Sequence, residues 1–401
     1  MKVDSMRKID HWVGVPLCFM LTLLSWPLTR RRPSLPPRKV LFIELSEMGT
    51  AILADPAMRK ARDRLGAELF FLIFRNNAAS LDFLRTVPAE NVYTIRDDNV
   101  VVLALDTLRF LLWARQRGID AAIDLELFSR FTALLTFLSG ATHRVGFYRF
   151  HNEGLYRGEL LTHRVAYNPH IHMAKNLVAM VNALLSPADE VPFSKTVIDD
   201  ADVQIAKAVV TSGELDQMRA RVQTVAPGYR AADHRIVLLN SNGSDLLPQR
   251  RWPQNHFAAI ARQIAVEWPD VIILLTGSPG EREQAESLRQ EAGHDRVFNF
   301  AGQVKLRELA ALYTISALMV TNDSGPGHFS AVTDLRTIVL FGPETPALYR
   351  SLGNSEALTS NLACSPCVSA ANHRKSACND PICMQLLSPA RVMQSVRAAL
   401  T

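Results

Sequence analysis

What the sequence has little of narrows its class first. No low-complexity tract or internal repeat is visible, and 48% hydrophobic against 21% charged residues is the balance of a globular chain, which excludes fibrous and disordered classes. Cysteine is scarce. Of the five, Cys18 stands alone and the other four fall between Cys364 and Cys383, whereas a secreted fold of this size distributes its pairs, so reduced thiols in a cytoplasmic compartment are expected. Long apolar runs are missing too. Trp12 to Leu28 carries no charge, yet it is broken by Gly14, Pro16 and Pro27 and is short of the roughly 20 residues of a spanning helix. No small-residue cleavage site follows it, and Arg30, Arg31 and Arg32 do, which argues against a secretory signal. Trp12 and Trp26 at its ends, with those arginines beyond, match anchoring at a bilayer interface. Residues 1–38 are therefore expected to be a membrane-associating segment and linker on the cytoplasmic face of the inner membrane. The alternative is a helix packed on the protein's own core.

Positive charge is present but not spread. Eight of the 44 Lys and Arg and only two of the 39 acids lie in residues 1–39, so the body is left with 36 basic and 37 acidic residues. A phosphate-tracking groove needs its basic residues on a folded face, so a nucleic-acid partner is not expected. A membrane surface is.

At 401 residues the chain exceeds one ordinary core, and two or three domains are expected. Strand-length apolar runs at Val40–Leu45, Leu69–Phe74, Val92–Ile95 and Ala121–Leu125 alternate with stretches of helical spacing. A second series follows the polar region around Ser186–Ser194. It comprises Ile236–Leu239, Val271–Thr276, Val297–Phe300, Ala317–Thr321 and Thr337–Phe341, with helical stretches such as Asn255–Glu267, Glu281–Glu291 and Leu306–Ile315 between them. The pattern predicts an α/β protein of two Rossmann-like domains, 39–190 and 191–401, facing each other across a cleft. Ligands of such sheets sit at the carboxyl ends of the strands.

The sharpest motif is V-T-N-D-S-G-P-G-H-F-S-A, Val320 to Ala331. A strand, a Gly/Pro turn and a helix start present backbone N–H groups and a dipole end, which suits a diphosphate. Asp323 and Ser324 fit sugar hydroxyls, Gly325, Pro326 and Gly327 make the turn, and His328 can donate to a phosphate or sugar oxygen. A plain helix cap is the bland alternative. The loop after the first strand of this domain runs from Asn240 to Pro253 and carries Ser244, Arg250 and Arg251, a plausible phosphate clamp. The bland alternative there is an exposed loop with Trp252 packed on the core. Thr276 to Glu281 brings Glu281 as a carboxylate for the ribose.

These pieces in this order resemble the family-9 glycosyltransferases, the ADP-heptose:lipopolysaccharide heptosyltransferases among them. The resemblance runs from Lys39 to Pro389 through K-V-L-F-I-E-L-S-E-M-G-T-A-I-L-A-D-P-A, R-R-W-P, L-T-G-S-P-G-E-R-E, F-A-G-Q-V-K-L-R-E-L-A-A-L and D-S-G-P-G-H. It implies a GT-B fold, an acceptor-binding N-terminal domain, a nucleotide-binding C-terminal domain and an inverting transfer without metal. ADP-heptose is the first candidate donor, and a membrane glycolipid or lipopolysaccharide is the acceptor. No cofactor is implied. Ser324, Gly325 and His328 then lie at the donor sugar and diphosphate, and Arg250 faces the phosphates.

One departure concerns the base. Many heptosyltransferases carry Gly-Asp in the first loop, with the Asp taking the acceptor proton, but here the pair is Gly49-Thr50. Glu47 is the expected replacement, with Glu44 and Asp55 behind it, and Ser46, Met48, Gly49 and Thr50 are expected around the acceptor. The bland alternative for Glu47 is a helix-start carboxylate. His143 to Arg164 mixes aromatic residues with Arg144 and Arg149 and reads as an acceptor surface or as an exposed loop. His170 and His172 are not a metal pair by spacing, and Asp97-Asp98 is too bare for one. Cys364, Cys367, Cys378 and Cys383 are compatible with a four-thiolate zinc site or with structural thiols; no metal is expected. A non-catalytic sugar-nucleotide or glycan-binding protein and a sugar-nucleotide epimerase of the same fold are the rival functions.

Overall fold

The computed structural model describes residues 3–29, 35–150, 155–186, 191–243, 245–370, 372 and 374–401, the side chains of 3, 4 and 26–29 aside. The chain divides into two compact units, Met1–Gln204 and Ile205–Thr401. The first contains β1 (Lys39–Ile43), β2 (Glu68–Phe74), β3 (Val92–Ile95), β4 (Ala121–Asp124), β5 (His143–Tyr148) and β6 (His163–Ala166). The second contains β7 (Arg235–Asn240), β8 (Val271–Leu275), β9 (Val297–Asn299), β10 (Leu318–Asn322), β11 (Arg336–Leu340) and β12 (Ser355–Leu358).

Each unit is built on one six-stranded parallel sheet. The orders are β3-β2-β1-β4-β5-β6 and β12-β11-β10-β7-β8-β9, the same order twice when the second is numbered from its own first strand. Interior strands of such sheets are covered by helices on both faces, so they read as unbroken apolar runs rather than alternating ones. Val40, Leu41, Phe42 and Ile43 of β1 are all fully buried, as are Ile236, Val237, Leu238 and Leu239 of β7. In each sheet the strand order reverses at the first strand, so the topological switch points lie between β1 and β4 and between β7 and β10, where sheets of this kind take ligands beyond the strand ends.

The nine expected strands are present within a residue or two of their expected limits. Three others were not expected. The stretch from His143 to Arg164, read as an acceptor surface, supplies β5 and part of β6 instead of a loop. The polar side chains that it buries find partners: His143 Nε2 lies 2.8 Å from the Leu35 carbonyl, and the His143 and His163 rings stack at 5.6 Å. His172 caps the helix Met173–Leu185, its Nδ1 accepting from the Ala174 N–H at 3.2 Å. The division between the units also falls later than 190. Residues 191–204 stay with the first unit through the Phe193 N–H on the Arg164 carbonyl and Lys60 on Asp202 at 3.7 Å.

The N-terminal segment is helical from Val3 to Thr29, with a π-turn at Asp10–Gly14. One face of it is packed on the first unit. Asp10 accepts from the backbone N–H groups of Arg130 and Phe131 at 2.9 and 2.8 Å and pairs with the Arg130 guanidinium at 3.2 Å. Cys18 is fully buried against Leu134 and Leu160, and the Thr22 hydroxyl accepts from the Glu159 N–H at 2.9 Å. Two glycines allow the approach: a Cβ on Gly14 would come within 2.7 Å of Arg130 Cβ, and one on Gly158 (φ +73°) within 2.7 Å of Thr22 Oγ1. The segment thus packs on the protein's own domain. Among the described residues no helix is long and apolar enough to cross a membrane. Arg30, Arg31, Arg32 and the Trp26 side chain lie outside what is described.

At the carboxyl end of β4 the first unit holds a buried ion pair. Arg157 donates to Asp124 Oδ2 at 2.6 Å, and the Thr132 hydroxyl donates to the same oxygen at 3.0 Å, with Asp124 fully buried. Burial pushes the Asp124 carboxyl up, and Arg157 pulls it back down. Removing one partner of such a pair leaves the other charged without compensation. Arg157→Ala is expected to lower the stability of the first unit by about 3 to 5 kcal/mol, read from its urea unfolding midpoint; an unchanged midpoint would show that the pair contributes little.

Candidate functional site

Beyond the ends of β7 and β10, three loops of the second unit meet. Asn322, the last residue of β10, is fully buried; its Oδ1 accepts from the Trp252 N–H at 3.0 Å, and its Nδ2 donates to the carbonyls of Ser241 and Asn242 at 2.8 and 3.2 Å. It pins the loop after β7 to the start of the D-S-G-P-G-H turn. Trp252 fills the core, with its indole N–H on the Leu387 carbonyl at 2.6 Å, so the packing expected of the bland reading holds for this residue. The arginine before it does something else. Arg250 lies 3.3 Å from Asp323 and 3.2 Å from Glu344, and Arg374, from the cysteine-containing segment, reaches the same Glu344 oxygen at 3.2 Å. Glu344 is 2% exposed and Asp323 4%. Burial holds the Glu344 carboxyl above the usual carboxylate range, against the pull of Arg374 and Arg250. Two guanidiniums and two carboxylates thus stand at the carboxyl ends of β7, β10 and β11.

Other expected residues of this unit sit around that cluster. Asn240 donates to the Thr276 carbonyl and hydroxyl at 3.2 Å, joining the first and third loops. Ser324 stands just before a helix that runs only from Gly325 to Phe329, with Pro326 and Gly327 in it, and its hydroxyl makes no capping bond but donates to the Asn322 carbonyl at 3.2 Å. A helix this short sums few peptide dipoles, so the charge expected at its start is small and ligand hold rests on individual groups. His328 is partly exposed on the last turn. Arg251 is turned to its own loop, donating to the Gly243 carbonyl and pairing with Asp245, which removes it from the expected clamp. Glu281 accepts from the Ser278 N–H as the reciprocal half of a cap on the following helix. Ser244 lies outside the described residues. The Asn242 Oδ1 is buried without a hydrogen-bond partner beside these groups.

In the first unit the corresponding position holds three carboxylates. Glu126, just past β4, accepts on one oxygen from the N–H groups of Leu45 and Ser46 at 3.1 and 3.0 Å and from the Ser46 hydroxyl at 2.8 Å. Glu44, at the end of β1 and 2% exposed, accepts from the N–H groups of Ser46 and Glu47 at 3.2 and 3.0 Å. Glu47 precedes the helix Met48–Leu53, is partly exposed, and accepts from the Thr50 hydroxyl at 3.0 Å. Met48 and Gly49 are partly exposed on the first turn, and Thr50 is buried. Burial and the neighbouring Glu126 and Glu47 push the Glu44 carboxyl well above its ordinary value, and burial also raises Glu126.

Sequence reasoning missed Glu126, Asn322 and the pairing of Glu344. The register of β1 against β4 and of β7 against β10 brings each of the first two opposite its loop, and only the sheet order reveals that. Asp55 leaves the site. It is fully buried, with Arg59 at 2.9 Å and the Thr86 hydroxyl at 2.5 Å. Arg144 leaves it as well, being 9% exposed with its nitrogens on the Leu160 and Ala141 carbonyls at 2.7 and 2.8 Å. Arg149 is exposed at the rim of a cavity of about 250 Å³ that Phe147, Tyr148, Tyr156 and Leu161 help to line. Cys364, Cys367 and Cys378 are exposed and Cys383 is buried, all four as free thiols. Cys367 Sγ is 3.3 Å from the Ser376 hydroxyl, and the Cys378 thiol donates to the Asp380 carbonyl at 3.1 Å. Among the described residues no three His, Cys, Asp or Glu side chains are grouped as a metal ion requires, so the four cysteines do not form a four-thiolate site there.

Two doubly wound parallel sheets with loop sites at their switch points define the GT-B class. Solved structures share it: the ADP-heptose lipopolysaccharide heptosyltransferase II of E. coli superposes over 90% of this chain and 98% of its own, with a TM-score of 0.67 at 18% identity. A family-9 glycosyl transferase from Veillonella parvula covers 92% and 99%, also at 0.67, with 16% identity. The model of glycosyltransferase family 9 (heptosyltransferase) matches residues 112–377, and the chain belongs to that family. Lipooligosaccharide heptosyltransferase 2 of Haemophilus influenzae is 28% identical over 158 residues, 38% of this chain and 45% of that protein. The chain spans about half or less of the length of the curated relatives it matches.

The raised Glu44 carboxyl sets a pH dependence. Its folded form binds the proton more tightly than the unfolded chain does, so the cost of keeping it is absent below the ordinary value of 4.5 and grows as pH rises from there towards the folded-state value. Glu44→Gln removes that titration. The stability of the variant relative to the parent is expected to increase with pH above about 4.5 and to level off once Glu44 ionises in the fold, as read from urea midpoints at a series of pH values. A difference that is flat with pH would show that Glu44 titrates normally.

Proposed function

We propose that the chain is an inverting glycosyltransferase that needs no metal or other cofactor. It moves a sugar from a nucleotide-diphosphate donor, ADP-heptose first among candidates, to a membrane glycolipid or lipopolysaccharide-type acceptor at the cytoplasmic face of the inner membrane. The observation that carries the reading is the Arg250–Asp323–Glu344 cluster beside D-S-G-P-G-H at the strand ends of a family-9 second unit. Relatives named as lipooligosaccharide and lipopolysaccharide heptosyltransferases support the donor and acceptor classes.

In this reading the second unit binds the donor. Asn240 and Glu281 lie on the nucleotide side, Arg250 takes up charge on the diphosphate, and Asp323, Ser324, Gly325 and His328 hold sugar and phosphate oxygens. The first unit binds the acceptor around Ser46, Met48, Gly49 and Thr50, with Arg149 further out. Glu47 removes the acceptor hydroxyl proton as that oxygen bonds to the anomeric carbon. The bond from that carbon to the diphosphate breaks on the opposite side, and the nucleotide diphosphate leaves with the electron pair, which inverts the centre. Glu47 suits this role better than its neighbours: Glu44 is buried, and that burial pushes its carboxyl well above the ordinary value, while Glu126 is tied to two amides and a hydroxyl.

The test separates binding from chemistry. His328→Ala is expected to weaken donor binding and turnover together. Glu47→Gln is expected to leave donor affinity nearly intact and to lower kcat by about 10²- to 10⁴-fold, the range of a lost general base. Normal turnover of Glu47→Gln would remove it from the mechanism. A parent protein that binds ADP-heptose in calorimetry and transfers it to no extractable glycolipid would favour a sugar-nucleotide-binding role without catalysis.

A further inference from the structure

The helix from Val3 to Thr29 has two apolar faces, and the first unit covers only one. Gly14, Cys18, Thr22 and Ser25 are buried, a set that lies along one side at helical spacing. On the other side Trp12 is 74% exposed, Phe19 54%, Met20 53%, Leu23 59% and Leu24 74%, with Val13 between the two ends of the stripe at 50%. A surface helix of a globular protein is polar on its outer face; this one is as apolar outside as inside, over a contiguous stripe. Something apolar covers it.

Charge identifies the occupant. Arg7 and Lys8 close the first turns of the helix, and Arg30, Arg31, Arg32, Arg38 and Lys39 follow it in sequence, whereas the body of the chain is almost neutral. An apolar stripe flanked at both ends by basic residues, with Trp12 near one end, complements an anionic lipid surface, where apolar side chains enter the acyl region and cations remain with the headgroups. A second copy of the chain gains nothing from those charges, which would repel one another across a symmetric contact. Spanning is ruled out by the docked face: Asp10 with Arg130, and Thr22 with Glu159, join this helix to a folded polar surface that cannot enter hydrocarbon. We propose that the helix lies in the plane of an anionic bilayer, its Trp12–Leu24 stripe in the lipid and its Cys18 face on the first unit, so that the acceptor-binding unit sits directly on the membrane. The inference rests on the proposed function only for the meaning of that contact, the delivery of a glycolipid to the first unit.

The full chain with sedimenting vesicles tests it. Vesicles of phosphatidylglycerol and phosphatidylethanolamine, free of any sugar acceptor, are expected to carry the protein down, phosphatidylcholine vesicles to do so poorly, and 1 M salt or alkaline carbonate to release it. Phe19→Glu with Leu23→Glu should reduce the bound fraction by more than about tenfold. The same variant should keep the parent's Tm and its nucleotide-sugar affinity, and Leu24→Glu provides a second, single change on the same face. Undiminished vesicle binding by variants that remain folded overturns the proposal. So does resistance to carbonate extraction, which indicates a spanning helix, or a dimer in sedimentation equilibrium that the double change dissolves, which makes a second copy the occupant. A protein that binds these vesicles and transfers no sugar refutes the proposed function and leaves the bilayer contact standing.

Discussion

Where a parallel strand ends at a switch point, the amides of its exit loop have no ladder to join, and each must find a partner nearby. Both candidate sites are answers to that constraint. In the first unit the amides of Leu45, Ser46 and Glu47 are taken by the carboxylates of Glu44 and Glu126. In the second the amide of Trp252 is taken by Asn322, which holds two carbonyls of the same loop with its other end. Each answer fixes a loop by a side chain from the adjacent strand, and the fixed loop carries the groups proposed to meet substrate.

The two answers differ in charge. The first unit gathers three carboxylates, and burial together with that crowding pushes Glu44 well above its ordinary value. The second balances Asp323 and Glu344 with Arg250 and Arg374, so anionic side chains stand beside cations at a position proposed for a diphosphate. A ligand arriving there competes with Glu344 and Asp323 for guanidinium that is already oriented, which limits reorganisation on binding. Arg374 also lies over the Tyr349 ring at 4.6 Å, so the segment with the exposed cysteines is tied to the cluster rather than hanging from it.

Much of the fold was legible because interior parallel strands announce themselves as apolar runs. β5, β6 and β12 escaped for the opposite reason: H-R-V-G-F-Y, H-R-V-A and S-E-A-L bury or half-bury polar residues that pay their way through partners far off in sequence, such as Leu35 for His143 and Ser395 for Glu356. The motifs of the second unit could be read locally, since D-S-G-P-G-H and R-R-W-P each sit on one loop. Their division of labour could not. By residue type Arg250 and Arg251 are equivalent, and only the family resemblance separated them; in the fold one turns to the cluster and the other to Gly243. Arg144 failed as a surface candidate because residues 143–148 form an inner strand. The N-terminal helix gave no period at all, being apolar all round, so its docked side appears only with Gly158 and Glu159 in place.

That docking has a consequence for the order in which the protein is made. The helix leaves the ribosome before its partners: Arg130 comes 120 residues after Asp10, and Glu159 comes 137 after Thr22. At about 5 to 20 residues per second the gap is roughly 6 to 27 s. For that interval the newborn helix lacks the partners that cover its docked face in the folded unit. Its first contacts are with whatever apolar surface the cell offers at the exit tunnel, and the domain must later claim one side of a helix that has already found company.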